Sequence, residues 1–228
     1  MGATAGALSW DGVGQKVYER GVSKGVLYLY NSTTHKWEGV AWNGLTNATD
    51  SPEGGDAEDF YADNSIYASI RGIEKLNGSI EAFTYPDEFM ACIGKVAIAN
   101  GITIGQQNRV PFCFCYRTEI GNDLNPNAGY KLHLIYNATA NASEMSHDTD
   151  EDSPNLEPLS FDYSCTPVPV EGHKPTSCLE IDSTKTAEGK MTILENALYG
   201  TAAVTGTNAH DATVPYMPLP GDVLTLIA

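Results

Sequence analysis

The sequence predicts a mainly β chain, an antiparallel β-sandwich or barrel with one or two short flanking α-helices. Three observations carry this expectation. Apolar side chains recur with a period of two along many short segments. Only two short stretches show helical spacing. The 228 residues also hold 22 Gly, 12 Pro and 12 Tyr, a supply of turn formers and strand formers. Many strands with so few helices point away from an α/β enzyme fold. No internal repeat at a fixed period is present. The length suits one domain over residues 1–228, with residues 1–21 and 201–228 read as N-terminal and C-terminal arms.

The elements follow in chain order. Residues 1–21 are rich in Gly and Ala and read as an extended arm. Val26-Leu27-Tyr28-Leu29-Tyr30 is a short strand, and Asn31-Ser32-Thr33-Thr34 turns the chain. Extended structure resumes over residues 37–45 and runs into an acidic stretch that reads as a long loop over 46–64. Ile66, Ala68 and Ile70 alternate with Tyr67, Ser69 and Arg71; Leu76, Ile80 and Ala82 alternate with Asn77, Ser79 and Glu81. The connection over residues 72–75 reads as a hairpin turn between those two strands. Pro86, Asp87 and Glu88 suit the start of a short helix with Phe89, Cys92 and Ile93 on its inner face, and Gly94 closes it. Strands return after Asn100-Gly101, with Phe112, Phe114 and Tyr116 facing one way and Cys113 and Cys115 the other. Leu132, Leu134 and Tyr136 repeat the pattern, as do Phe161, Tyr163 and Cys165. Met191, Leu194 and Leu198 mark a second helix stopped at Gly200. The apolar end, Val223-Leu224-Thr225-Leu226-Ile227, is expected to dock on a sheet edge or a neighbouring subunit.

Charge narrows the function classes. Thirteen Lys and Arg stand against 29 Asp and Glu, a formal net charge of −16. Such a surface repels phosphates and anionic membranes, which disfavours tight nucleic-acid binding. Strand aromatics of the kind used by single-strand binders would need a basic groove beside them. The stretch from Met1 to Leu8 has no basic region leading into an apolar run, so no secretory signal is expected there. Gly6 breaks the myristoylation pattern. No apolar run is long enough to span a bilayer as a helix. Five cysteines, Cys92, Cys113, Cys115, Cys165 and Cys178, lack a framework spacing and read as buried free thiols in a reducing compartment. Sequons begin at Asn31, Asn47, Asn77, Asn137 and Asn141, and reflect a chain rich in Asn, Ser and Thr.

No motif carries a catalytic, cofactor or metal assignment. Asp148, Asp150 and Asp152 open like a calcium loop, but Ser153 stands where the turn needs Gly, and Leu159 where the bidentate Glu belongs. Cys113-x-Cys115 has no second Cys pair, with His133 the one tempting addition for zinc. Gly21 to Gly25 lacks phosphate-loop spacing, and no nucleophile elbow or Ser–His–Asp order stands out.

What remains is a set of ordered motifs. They are SPEGGDAEDFYADN at 51–64, IEAFTYPDEF at 80–89, Ile104-Gly105-Gln106-Gln107-Asn108-Arg109, Tyr116-Arg117-Thr118-Glu119-Ile120-Gly121-Asn122-Asp123, and Asp152-Ser153-Pro154. With these, roughly residues 21–200 resemble the major tail proteins, or tail tube proteins, of long-tailed phages with non-contractile tails. The resemblance implies a tail-tube-like β-sandwich with a flanking helix. It also implies assembly with itself into hexameric rings that stack into a hollow tube, through which double-stranded DNA passes without specific binding. The chain would then belong to the virion tail, after assembly in the host cytoplasm. A tape-measure protein, a tail terminator, a distal tail protein and tail assembly chaperones would be its partners, with no membrane and no cofactor. In that family an extended loop and the terminal arms link subunits. The acidic stretch 46–64 is therefore expected to bridge, with Asp50, Glu53, Asp56, Glu58, Asp59, Phe60, Tyr61, Asp63, Tyr67, Phe83 and Tyr85 as subunit-interface candidates. Some of the excess carboxylates are expected to face the lumen, where they keep DNA from sticking. A different class stays open: an extracellular-type β-sandwich that binds carbohydrate or a receptor, as an adhesin or decoration domain. The sequons and tyrosines favour that reading slightly.

Overall fold

The computed structural model describes residues 7–8, 10–146, 149, 156–205 and 209–227. The candidate calcium loop at Asp148, Asp150 and Asp152 lies outside the described residues, as do the motif Asp152-Ser153-Pro154 and residues 1–6 of the N-terminal segment. The elements run β1 (Tyr18–Asn31), β2 (Lys36–Trp42), β3 (Leu45–Gly54), β4 (Ala57–Ala62), β5 (Ser65–Arg71), β6 (Glu74–Ala82) and a 3-10 helix (Asp87–Ala91). They continue through β7 (Val96–Ala99), β8 (Ile102–Ile104), β9 (Phe112–Gly121), β10 (Gly129–Ala140), β11 (Leu159–Cys165), β12 (Cys178–Asp182), α1 (Glu188–Tyr199), β13 (Tyr216–Met217) and α2 (Pro220–Ile227).

The fold is mainly β and antiparallel, with short flanking helices, as the alternation predicts. One nine-stranded sheet has the order β13-β2-β1-β9-β10-β11-β6-β3, with β12 also on β10. Its corner is in β10. Residues 131–135 of that strand pair with β12, whereas 138–140 pair with β11. The switch falls at Asn137, whose φ of 48° bends the chain and whose N–H donates to Cys113 Sγ at 3.4 Å. Strands that change sheets at such bends make the corners of sandwiches.

Folding at this corner creates two cores. The first unites Leu27 of β1, Phe112, Phe114 and Tyr116 of β9, Ile80 of β6, Phe161 and Tyr163 of β11, and Trp42. Phe89 sits at its centre, its ring 4.5 Å from Trp42, 5.1 Å from Phe161 and 5.4 Å from Phe112. Pro86 stands at the N-cap of the 3-10 helix that delivers Phe89; the helix ends at Ala91 rather than at Gly94, which closes the turn that follows with a φ of 72°, at a point where a Cβ would meet Gln107 O. The second core lies on the opposite face of the sheet. Val26, Tyr28, Cys113, Cys115, Leu132, Leu134 and Tyr136 pack there under Met191, Leu194 and Leu198 of α1 and Val223 of α2. The rows predicted for β9 thus serve one core each. Gly200, with a φ of 70°, stops α1 where expected.

Two expectations change. Residues 46–64 do not form a loop, and residues 72–75 do not join β5 to β6 as a hairpin. β3 pairs instead with β6, and β4 with β5. The two ladders share one register, since Gly54↔Glu74 is followed by Ala57↔Arg71, and the Gly72 N–H donates to Asp56 O across the joint at 3.1 Å. The result is one long hairpin from Leu45 to Ala82, jointed at Gly54 and Gly55, whose φ values are 86° and 74°. Its tip is a two-residue turn at Asp63 and Asn64, with φ of 50° and 60°, the type I′ geometry that Asx residues tolerate. A period of two identifies a strand but not its partner, so the alternation alone leaves the pairing open.

The chain ends also take definite places. Tyr18 to Gly21 belong to β1, in register with β9 from Gly121. Just before them, the Gly14 N–H donates to both carboxylate oxygens of Asp123, at 3.0 and 3.1 Å. At the other end β13 covers the β2 edge, and the apolar terminal segment is helical, with Val223 buried in the second core. Pro220 at the first position of α2 suits a helix start, which outweighs the strand-like composition of Val223 to Ile227.

Candidate functional site

The outer half of the long hairpin buries almost nothing. Tyr61 is 71% exposed, Tyr67 80% and Ile73 85%, and Phe60, Ile66 and Ile70 are exposed as well. Strand register puts Phe60 and Ala68 on one face and Tyr61 and Ile66 on the other, so both faces carry apolar groups. A bulge between Phe60/Ala68 and Tyr61/Ile66 leaves Tyr67 as the extra residue. Glu53, Asp56, Glu58, Asp59 and Asp63 are exposed along the same arm. A second open hairpin, β7–β8, exposes Val96, Ile98, Ile102 and Ile104. Isolated two-stranded ribbons with apolar side chains on show are marginal in water and mark contact surfaces.

The other candidates are placed differently. Asp50 is half-buried and accepts hydrogen bonds from Tyr163 Oη at 2.9 Å and Tyr116 Oη at 3.0 Å. It holds the rim of the first core rather than an open surface. Tyr85 is half-buried and packs edge-on against Phe161 and Phe89, with ring centroids 5.6 and 6.1 Å away. Glu53 is tied to Asn77 Nδ2 at 2.5 Å. Phe83 is 44% exposed, just beyond the end of β6.

A polar cluster that the sequence did not signal lies across β1, β9, β10 and β12. Glu19 accepts from Lys131 Nζ at 2.6 Å and Thr118 Oγ1 at 2.5 Å, and Lys131 also reaches Glu180 at 3.2 Å. His133 Nε2 lies 3.1 Å from Glu19 and 3.0 Å from Thr118, under the stacked ring of Tyr116 at 4.5 Å. Burial raises the Glu19 carboxyl, but hydrogen bonds from Lys131 and Thr118, with the Lys131 charge, outweigh it and hold the group below its ordinary range. The hydrogen bond to Glu19 in turn raises Lys131. A Ser–His–Asp type relay needs nucleophile and carboxylate on different ring nitrogens. Here both share Nε2, and the buried Nδ1 has no hydrogen-bond partner, so the cluster ties strands together.

The cysteines are all free thiols, four of them buried. Burial pushes Cys92, Cys113 and Cys165 up to about 12. Strand register pairs Cys115 with Leu134 and Tyr116 with His133, so the thiols and the imidazole occupy opposite faces of the sheet and cannot share an ion.

A cleft of about 610 Å³ opens where β1 departs from its ladder with β9. Val22, Trp42, Leu45, Leu198, Tyr199 and Lys24 are among its lining residues. Lys24 is exposed, with a φ of 51° and its ammonium 5.4 Å from the Tyr199 ring. No protein-family model matches the chain, and no curated protein matches it.

Proposed function

We propose that the chain is the tail tube subunit of a long-tailed phage with a non-contractile tail, assembling into stacked hexameric rings that conduct the genome. The observation that carries the reading is the long hairpin. It holds strand-forming aromatics and aliphatics that its own chain leaves uncovered, within the segment that carries the tail-protein motif SPEGGDAEDFYADN. An assembly subunit needs such surfaces, because a ring is a closing heterologous contact and a stack of rings an open one.

The charge fits a conduit. Duplex DNA presents about one negative charge per 1.7 Å. A basic wall would trap it by counterion release, whereas carboxylates keep sliding free, within a screening length of about 8 Å at physiological salt. Phe83 is a candidate for lateral contacts, and Tyr85 serves the core.

Negative-stain electron microscopy of the purified chain over a concentration series tests the reading. Hollow rings or tubes of uniform diameter are expected, with a lumen of net negative potential once a map is available. Phe83→Asp should lose rings and keep the monomer fold. A chain that binds glycans as a monomer and forms no ring would move it to the adhesion class.

A further inference from the structure

We infer that the cleft beside Lys24 is the receptor for the hairpin tip of a second copy of this chain. The inference rests on the self-assembly reading and names the surface that the hairpin meets.

The donor is well defined. Tyr61 and Tyr67 stand exposed beside a bulge, which re-aims side chains, and Asp59 and Asp63 flank Tyr61 in sequence. Tyrosines of this kind anchor interfaces because they bring a large apolar body at small entropic cost. The acceptor is complementary in shape class and in charge. Its lining is mostly apolar, and its volume lies within the range of about 300–1,000 Å³ in which a compact apolar body is usually taken up. Lys24 has no carboxylate partner among the described residues. On a chain of net charge −16, a lysine without such a partner beside an apolar cleft favours an acidic, aromatic visitor. The backbone there is also held out of the ordinary, with the φ of Lys24 positive and two register shifts in the β1–β9 ladder. Such irregularities gather at contact sites.

The outer half of the hairpin does not fill its own chain's cleft. Leu45 lines the cleft and is also the first residue of β3, at the base of the hairpin. Ala62 lies seventeen residues further along the same arm, about 55 Å of strand at roughly 3.3 Å per residue. The two ladders hold one register, and no residue of 57–71 is among those lining the cleft. Tip into base of the next copy is a head-to-tail contact, and it repeats without limit along an axis.

Charge reversal tests this, because Lys24 and Asp59 are both exposed and neither contributes to a core. Lys24→Glu and Asp59→Lys should each raise the concentration for half-association by about tenfold or more, read by sedimentation velocity, with circular dichroism unchanged. The double variant should recover to within about threefold of the natural chain. Single variants that associate like the natural chain, or a double variant that fails to recover, would overturn the receptor assignment and leave assembly standing. A natural chain that stays monomeric at every concentration would overturn the assembly reading and the receptor with it.

Discussion

The β9–β10 pair and the β4–β5 pair are built from similar material and meet opposite fates. Both are antiparallel, and both alternate along their length. In β9 the row Phe112, Phe114, Tyr116 fills one core and Cys113, Cys115 fills the other. In β4–β5 the row with Phe60 and Ile70 and the row with Tyr61 and Ile66 both face water. The difference is in the layers. The sheet corner at Asn137 and the helices α1 and α2 give β9 a roof on each side, while the glycine joint carries β4–β5 away from either roof. Strand-forming residues that find no layer in their own chain are available to another.

The largest effect that sharpens this contrast is at Phe89. Phe89→Ala should cost about 3–5 kcal/mol, seen as a lower midpoint in urea unfolding of the dilute chain, because the ring lies at the centre of an aromatic cluster. A loss below about 1 kcal/mol would mean the first core is not the close-packed body described.

Asp50 comes next, as the one hairpin carboxylate assigned to the body. Asp50→Ala should cost about 1–3 kcal/mol by leaving the Tyr116 and Tyr163 hydroxyls short of an acceptor. An unchanged midpoint would return Asp50 to the exposed arm.

A pH dependence of stability follows from Glu19. Its carboxyl is depressed in the fold, so its stabilisation is present above the ordinary value of 4.5 and fades as pH falls through the lower folded value. Lys131, whose own value is raised, stays charged throughout that window, so the loss belongs to Glu19. Chemical unfolding between pH 6 and the acid limit should show a steeper fall for the natural chain than for Glu19→Gln. Parallel curves would remove the cluster from the account.

The smallest effect on folding should come from the arm. Tyr61→Ala combined with Tyr67→Ala should leave the dilute monomer within about 0.5 kcal/mol of the natural chain while abolishing association. Substantial unfolding would place those rings in a packed environment.

Much of the body was legible because its signals are local. The alternation from Phe112 to Tyr116, the start at Pro86 of the short helix that carries Phe89, and the stop at Gly200 each follow from neighbouring residues. Pairing was not local. Residues 66–71 and 76–82 read as one hairpin, but each pairs with a strand upstream of it, 76–82 also with β11 far downstream, and the acidic stretch became two strands. The candidate surface was legible in part. Phe60, Tyr61 and Tyr67 are exposed, whereas Asp50 and Tyr85 were drawn inward by tyrosine and phenylalanine partners more than twenty-five residues away in sequence or across the short helix. The cleft at Lys24 and the cluster around Glu19 join distant strands, and no spacing in the sequence marks them.

Hydrogen exchange measured at low and at high protein concentration separates an arm that waits for a second copy from one that is stable alone. Amides of residues 57–71 are expected to exchange fast in the dilute chain and to become protected on association, while those of β9 are protected throughout. Protection of residues 57–71 that is already full in the dilute monomer, or that never rises in the assembled form, would contradict it.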